Sequence, residues 1–199
     1  MKKIVIASGN PGKLREIRRI LEPLEFNVVP QSDFGVPECP EPHVTFIENC
    51  LAKARHAALH TGLPALADDS GICVDALNGA PGVYSARYAG EPKSDQRNNE
   101  KLIAALGGES NRKAHYYCII VLVRHPDDPQ PLIAEGSWHG EIIDTPRGNG
   151  GFGYDPYFLV PDFGQTGAEL ALDVKNGISH RGQALAALVG KLHQIRGEA

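Results

Sequence analysis

The order of helix and strand signals along the chain indicates a mixed α/β fold. Near the amino terminus a buried apolar strand, 3–7, precedes an amphipathic helix, 13–24, which is the kind of unit that parallel sheets contain. Farther along, two segments rich in apolar and β-branched residues, 116–124 and 131–143, flank the turn Asp127-Asp128-Pro129. This pattern is typical of a hairpin of long antiparallel strands. The sequence therefore predicts both parallel and antiparallel strands.

The turn between the first strand and the first helix has the composition of a phosphate-binding loop. In Ser8-Gly9-Asn10-Pro11-Gly12-Lys13 the small residues let backbone N–H groups approach phosphate oxygens, and Lys13 adds a positive charge. The run is not a Walker A motif, since Ala7 replaces its first glycine and Leu14 replaces its serine or threonine. An ordinary strand-to-helix turn with a surface lysine fits the same residues.

A Thr-x-x-Glu capping box marks the start of the second helix. A strand at 26–30 leads into a proline-rich segment, after which Thr45 and Glu48 are spaced to cap a long helix that ends near Gly62. One face of this helix carries three polar residues, Asn49, Lys53 and His56.

Two short strands, 64–67 and 72–77, are predicted on either side of Asp68-Asp69-Ser70-Gly71, and a third helix is predicted at 95–106. In an extended backbone the two carboxylates point to opposite faces, so one would contact a ligand and the other would orient its surroundings. Buried carboxylates are unfavourable unless they are paired, hydrogen-bonded or bound to a cation. With Glu41 as a further oxygen ligand and phosphates present, such a set selects Mg²⁺. A turn in which an aspartate caps the next N–H is the alternative.

Glycines crowd the segment 148–153, which predicts a shaped loop. The overlapping segment Phe152-Gly153-Tyr154-Asp155-Pro156 offers two aromatic rings that could stack on a nucleotide base. Asp155 would be available to hydrogen-bond the polar edge of that base. Aromatic residues that fill the core beneath a turn give the same pattern. A last helix is predicted from about residue 181, with the serine of Ser179-His180-Arg181 as its N-cap. The histidine and arginine are either donors that read a base or two solvated side chains at a capped helix end.

Composition limits the classes of function. The 199 residues contain no low-complexity linker, so we expect one domain, 1–199. A net charge of -4 argues against binding of polymeric nucleic acid, which is typical of basic domains. No segment is apolar for long enough to span a membrane. The four cysteines form no CxxC pair, which favours buried thiols and a cytoplasmic location.

Together these motifs closely resemble the inosine triphosphate pyrophosphatase family, whose bacterial members are dITP/XTP pyrophosphatases. The resemblance covers the whole chain, and its motifs occur in the family's order. They are Ser8-Gly9-Asn10-x-x-Lys13, Thr45-Phe46-x-Glu48-Asn49 with Lys53, Ala67-Asp68-Asp69-Ser70-Gly71, Pro81-Gly82-x-Tyr84-Ser85-Ala86-Arg87-Tyr88, Gly151-Phe152-Gly153-Tyr154-Asp155-Pro156, and Lys175 to Ser179-His180-Arg181. The chain departs from bacterial members before Lys175, where Asp173-Val174 replaces two acidic residues.

The resemblance implies an elongated, two-lobed mixed α/β fold with its nucleotide cleft between the lobes, assembled as a homodimer. It implies Mg²⁺-dependent hydrolysis of nonstandard purine nucleoside triphosphates (ITP, dITP, XTP) to the monophosphate and pyrophosphate. Asp69 would be the proton acceptor, and the metal would be held by Glu41 and Asp69. The residues implied to bind substrate are Ser8, Gly9, Asn10, Pro11, Gly12, Lys13, Lys53, Ser70, Phe152, Gly153, Tyr154, Asp155, Lys175, His180 and Arg181.

Two other functions remain open at the level of sequence. A septum-type nucleotide pyrophosphatase would act on pyrimidine or modified nucleotides, but its phosphate motif would carry Ser and Arg in place of Asn10 and Lys13. A nucleotide-binding sensor without turnover would not need both Asp69 and Glu41, because binding alone requires no base.

Overall fold

The computed structural model describes residues 2–196, which form a seven-stranded sheet with five α-helices and six short 3₁₀ segments. The strand order in the sheet is β2-β1-β3-β4-β5-β6-β7. The helices and strands, in chain order, are β1 (Lys2–Ile6), α1 (Pro11–Leu21), β2 (Phe26–Pro30), α2 (Phe46–Thr61), β3 (Ala65–Val74), α3 (Asp95–Ala105), β4 (Lys113–Val123), β5 (Leu132–Ile142), β6 (Phe158–Val160), β7 (Gln165–Thr166), α4 (Leu172–Ile178) and α5 (His180–Arg196).

The sheet is mixed, as the sequence predicts. Strand β1 pairs in parallel with both β2 and β3, whereas β6 pairs antiparallel with β5 and β7. Strands β4 and β5 are hydrogen-bonded neighbours. Within residues 2–196, no helix is both long and apolar enough to cross a membrane.

The chain divides into two compact units, and the boundary in β3 falls between Asp69 and Ser70. The first unit contains the residues up to Asp69, 118–135, and those from Ala184 onward. Its core is built from apolar residues of its strands and of helices α1 and α5: Ile4, Ile6, Ile17, Leu21, Phe26, Val28, Leu66, Ile120, Leu185, Leu188 and Leu192.

The second unit contains residues 70–117 and 136–183. Its core is more aromatic, and the rings of Tyr116, Trp138 and Phe158 contact one another. The ring centroid of Tyr116 is 6.0 Å from that of Trp138 and 4.8 Å from that of Phe158, and the last two are 5.0 Å apart. The other core residues include Ile72, Val74, Leu102, Leu106, Ile142, Tyr154 and Val160.

The structure corrects the predicted bounds of two elements, β3 and α1, and adds a helix, α4. Residues 64–77 were predicted as two strands around a polar turn, but β3 is one continuous strand through Asp68 and Asp69. The extended backbone is tolerated there because both carboxylates are paired with lysines. Helix α1 begins before residue 13 and stops at Leu21, where the chain continues as a 3₁₀ turn, Glu22–Leu24; Pro23 has no N–H with which to continue the α-helical hydrogen bonds. Helix α4 was not predicted.

Candidate functional site

Strand β3 directs Asp68 and Asp69 to opposite faces of the sheet, as its extended backbone requires. The Asp68 side chain is fully buried, and its Oδ1 lies 2.9 Å from the Lys13 Nζ. The Lys13 side chain is only 18% exposed. The alternative of a surface lysine is therefore wrong, because Lys13 points inward to neutralise a carboxylate that has no access to water.

Lys53 lies between two carboxylates on the other side. Its Nζ is 2.7 Å from Glu41 Oε1 and 3.0 Å from Asp69 Oδ1. Burial disfavours the charged form of Lys53, but Asp69 and Glu41 more than offset this effect and raise its pKa. Burial raises the pKa of Asp69 above its ordinary value, although the Lys53 ammonium partly opposes that shift.

The predicted polar face of α2 holds the segment that carries Glu41. Asn49 accepts a hydrogen bond from the His43 N–H (3.0 Å) and donates one to the His43 carbonyl (3.1 Å). One turn later Lys53 binds Glu41, and His56 Nε2 lies 3.0 Å from the Pro37 carbonyl. Three residues at helical spacing, Asn49, Lys53 and His56, therefore hold the segment 37–43 in place.

The loop before α1 is organised by its own side chains. Asn10 is the N-cap of the helix, and its Oδ1 accepts hydrogen bonds from the N–H groups of Gly12 (2.8 Å) and Lys13 (3.3 Å). Ser8 Oγ accepts from the Asn10 N–H (3.1 Å). An anion bound here would meet a helix start and Lys13, but it would have to replace the Asn10 oxygen to reach these amides.

The charges around β3 in the first unit favour a cation. Three carboxylates, Glu41, Asp68 and Asp69, face two ammonium groups, Lys13 and Lys53. Within residues 2–196 no three His, Cys, Asp or Glu side chains are close enough to enclose a metal ion by themselves. Two carboxylates on one side of a strand suit Mg²⁺, which usually takes one or two carboxylates and completes its shell with water and phosphate oxygens.

In the second unit Asp155 is the centre of a buried hydrogen-bond network. Its carboxylate forms an ion pair with Lys175 and accepts hydrogen bonds from the Phe152 N–H (2.8 Å) and the Tyr116 hydroxyl (3.4 Å). The sequence analysis expected Asp155 to be available for a base edge. Its oxygens are instead engaged within the unit, where they fix the glycine loop and Lys175.

The two aromatic rings of the loop have different environments. Phe152 is 55% exposed, and the Lys175 Nζ lies 5.3 Å from its ring centroid. Tyr154 is buried in the core, and its hydroxyl donates to the Ser85 carbonyl (2.7 Å). Of the two rings offered for a base plane, only Phe152 is accessible; Tyr154 fills the core beneath the loop, as in the alternative interpretation.

The start of α5 places His180 and Arg181 inside the protein. The His180 ring stacks on Tyr116, with centroids 4.8 Å apart and planes 10° from parallel. Arg181 is 4% exposed, and its Nη2 donates to Ser70 Oγ (3.0 Å). The alternative of two solvated side chains is wrong. Ser179 is the N-cap as predicted, since its Oγ accepts from the Gly182 N–H (3.2 Å).

Comparisons with known proteins place the chain in a family. The Ham1 family model matches residues 4–191. The chain belongs to the Ham1 family. It is 66% identical, over 98% of its length and 96% of the relative's, to a dITP/XTP pyrophosphatase of Nitrosomonas europaea. It is 63% identical to one of Ralstonia nicotianae, over 96% of this chain and 97% of that protein.

A solved structure has the same fold. The HAM1 protein from Coxiella burnetii superposes with a TM-score of 0.93 at 50% sequence identity, covering 100% of both chains. The family membership and the mixed α/β fold predicted from the sequence are confirmed.

Sequence reasoning missed three residues that support the glycine loop of this Ham1 family protein. Asp95 accepts from the Gly153 N–H (2.8 Å), and Asn99 donates to the Gly153 carbonyl (2.9 Å). The third is Tyr116, which joins His180 to Asp155. The i,i+4 spacing of Asp95 and Asn99 on α3 indicates a shared helix face, but nothing local indicates that a loop more than fifty residues later binds to it.

Proposed function

We propose that this Ham1 family protein hydrolyses the triphosphates of nonstandard purine nucleosides, ITP, dITP and XTP, to the monophosphate and pyrophosphate. The choice of substrate rests on the close relatives that are named dITP/XTP pyrophosphatases. The observation that carries the chemistry is Lys53 held between Glu41 and Asp69. This arrangement puts a permanent cation beside a carboxylate whose pKa is raised.

The triphosphate is bound by residues of the first unit. Lys13 and Lys53 neutralise the negative charge that grows on the leaving pyrophosphate. The loop from Ser8 to Lys13, with Gly9, Asn10, Pro11 and Gly12, contributes the start of α1, where a helix favours anions. Asp68 keeps Lys13 in place because the 2.9 Å ion pair fixes its ammonium group.

The reaction requires Mg²⁺, held by Glu41 and Asp69. These carboxylates already share one cation, Lys53, so their oxygens converge on one region. The net charge of the carboxylates and lysines around β3 is negative, and a triphosphate adds more negative charge. When bound, the metal would supply the positive charge that offsets this repulsion and polarise phosphate oxygens.

Asp69 is the proton acceptor for the attacking water. A general base works best when its pKa lies close to the working pH, and burial raises the pKa of Asp69 in that direction. Lys53 keeps the carboxylate ionised and fixes its orientation through the 3.0 Å contact.

The purine base is bound by residues of the second unit. Phe152 offers its exposed ring for stacking, and Gly153 gives the loop its turn at φ 63°. Arg181, beside Ser70 and His180, donates to the 6-keto oxygen that distinguishes these bases from adenine. Asp155 and Tyr154 position the loop and Lys175.

The remaining proposals concern the setting of the enzyme. From the family resemblance we propose that the enzyme is a homodimer. From the composition we propose a cytoplasmic location and no binding of polymeric nucleic acid. The four cysteines are free thiols, as in a reducing compartment. Light scattering of the purified protein tests the dimer.

One assay tests the proposed reaction. The purified protein is incubated with ITP, XTP, GTP, ATP or UTP, with Mg²⁺ or with EDTA, and the released ion is identified. We expect pyrophosphate from ITP and XTP, much less from GTP, ATP and UTP, and none with EDTA. Preferential hydrolysis of UTP would favour a septum-type enzyme, and tight ITP binding without turnover would favour a sensor. Release of orthophosphate would place bond cleavage at another phosphate.

A further inference from the structure

Two histidines lie side by side on a face of the second unit that plays no part in the proposed reaction. Along β4 and β5, Tyr116 and Trp138 point into the core, so the adjacent His115 and His139 point to the opposite face. His115 is half-buried and His139 is exposed. Their ring centroids are 5.4 Å apart.

This separation matches that of two imidazoles bound to one metal ion. A Zn–N bond is about 2.0–2.1 Å, so two imidazoles on one tetrahedral ion place their ring centroids roughly 5 Å apart. The ring planes of His115 and His139 are tilted by 31°, so the rings are not stacked face to face.

A cavity of about 300 Å³ opens at the same place. Besides the two histidines, its walls carry three carboxylates, Asp75, Glu141 and Asp162, and one ammonium group, Lys113. The excess of carboxylates gives the cavity a negative potential that attracts cations. Its volume leaves room for the water ligands of an ion held by only two imidazoles.

We propose that His115 and His139 form a binding site for a borderline divalent transition metal such as Zn²⁺, Ni²⁺ or Cu²⁺. Imidazole suits these ions and not the hard Mg²⁺ of the proposed reaction. Since no three potential ligands are clustered among residues 2–196, the ion keeps exchangeable water ligands and binds reversibly. Affinity follows the usual order for such ligands and is highest for Cu²⁺.

The sole tryptophan provides a specific probe. Trp138 is adjacent in sequence to His139, so Cu²⁺ bound to the pair should quench its fluorescence. The matched control is His56, which forms another histidine pair with His60 on α2 (ring centroids 4.4 Å apart). One nitrogen of His56 already contacts the Pro37 carbonyl, and the pair belongs to the first unit.

The test is a Cu²⁺ titration of wild type, His115→Gln, His139→Gln and His56→Gln, followed by tryptophan fluorescence. We expect saturable quenching in wild type and His56→Gln, reversal by EDTA, and no effect of Mg²⁺. Each of the other two variants should weaken the apparent affinity by at least roughly tenfold. Because His139 is exposed, its variant should fold normally, which circular dichroism checks.

Two results would overturn the proposal. Equal quenching in His139→Gln and wild type would exclude the pair as the ligand, and loss of quenching in His56→Gln would assign the ion to α2. Electron paramagnetic resonance of Cu²⁺-loaded His56→Gln gives an independent check that needs no change at the site. Nitrogen hyperfine coupling supports two imidazole ligands, and its absence rejects them.

Discussion

The buried pair of Lys13 and Asp68 gives a stability prediction that can be worked from its geometry. Lys13→Ala removes the ammonium 2.9 Å from a carboxylate that is wholly inaccessible to solvent. Breaking a buried ion pair by removing one partner costs about 3–5 kcal/mol, because the remaining charge is left uncompensated. For a chain of this size the melting temperature should fall by roughly 6–20 °C. Arg15→Ala is the matched control, since Arg15 is exposed on the same helix.

Urea and thermal denaturation followed by circular dichroism measure the effect. Asp68→Asn combined with Lys13→Ala should be no less stable than Lys13→Ala alone, because the double variant also removes the charge of Asp68. If Lys13→Ala were as stable as Arg15→Ala at pH 7, the ion pair would contribute nothing and Lys13 would be held by other contacts.

Three further predictions concern Asp69, Arg181 and Asp128. Asp69→Asn should lower kcat roughly 10²–10⁴-fold and leave the melting temperature equal or higher at pH 7, since burial raises the pKa of this carboxyl. Arg181→Ala should reduce the preference for ITP over ATP in kcat/KM by roughly ten- to a hundredfold, the weight of a charged hydrogen bond of about 1.5–3 kcal/mol. Asp128→Asn should lower the free energy of unfolding at pH 7, because hydrogen bonds from Arg124 lower the pKa of Asp128. The difference in stability from wild type should vanish as the pH falls through the lowered pKa.

Each of these has a clear contrary result. If Asp69→Asn kept more than about half of wild-type turnover, the base would have to be another carboxylate. A uniform loss for ITP and ATP in Arg181→Ala would assign Arg181 to structure. A destabilisation of Asp128→Asn that persists at low pH would mean that shape, rather than charge, matters in the turn.

Features encoded by neighbouring residues were predictable from the sequence. Strand β2 was predicted at its observed bounds, and the Thr45 cap and the Gly62 stop were placed correctly because both depend on local backbone chemistry. The face of α2 that holds Glu41 could be read from helical periodicity, although its partner, the segment 37–43, could not.

Features that depend on distant partners were missed. A run such as Asp68-Asp69-Ser70-Gly71 resembles a turn, and only the lysines from α1 and α2 make a continuous strand acceptable there. Similarly, Arg181 is buried because Ser70, 111 positions earlier, accepts its hydrogen bond. The residues next to these positions do not indicate either contact, so the local sequence pattern is equally typical of a turn or of solvent-exposed side chains.

The alternation along β3 also limits how the gene can change. Since successive side chains of a strand face opposite sides, inserting or deleting one codon between Ala65 and Asp68 would exchange the faces of Asp68 and Asp69. Each carboxylate would then turn away from its own lysine, on α1 or on α2. Segments such as 107–110 tolerate length variation, because no strand register depends on them. Among descendants of this gene we therefore expect insertions and deletions in such loops and a fixed length from Ala65 to Ser70.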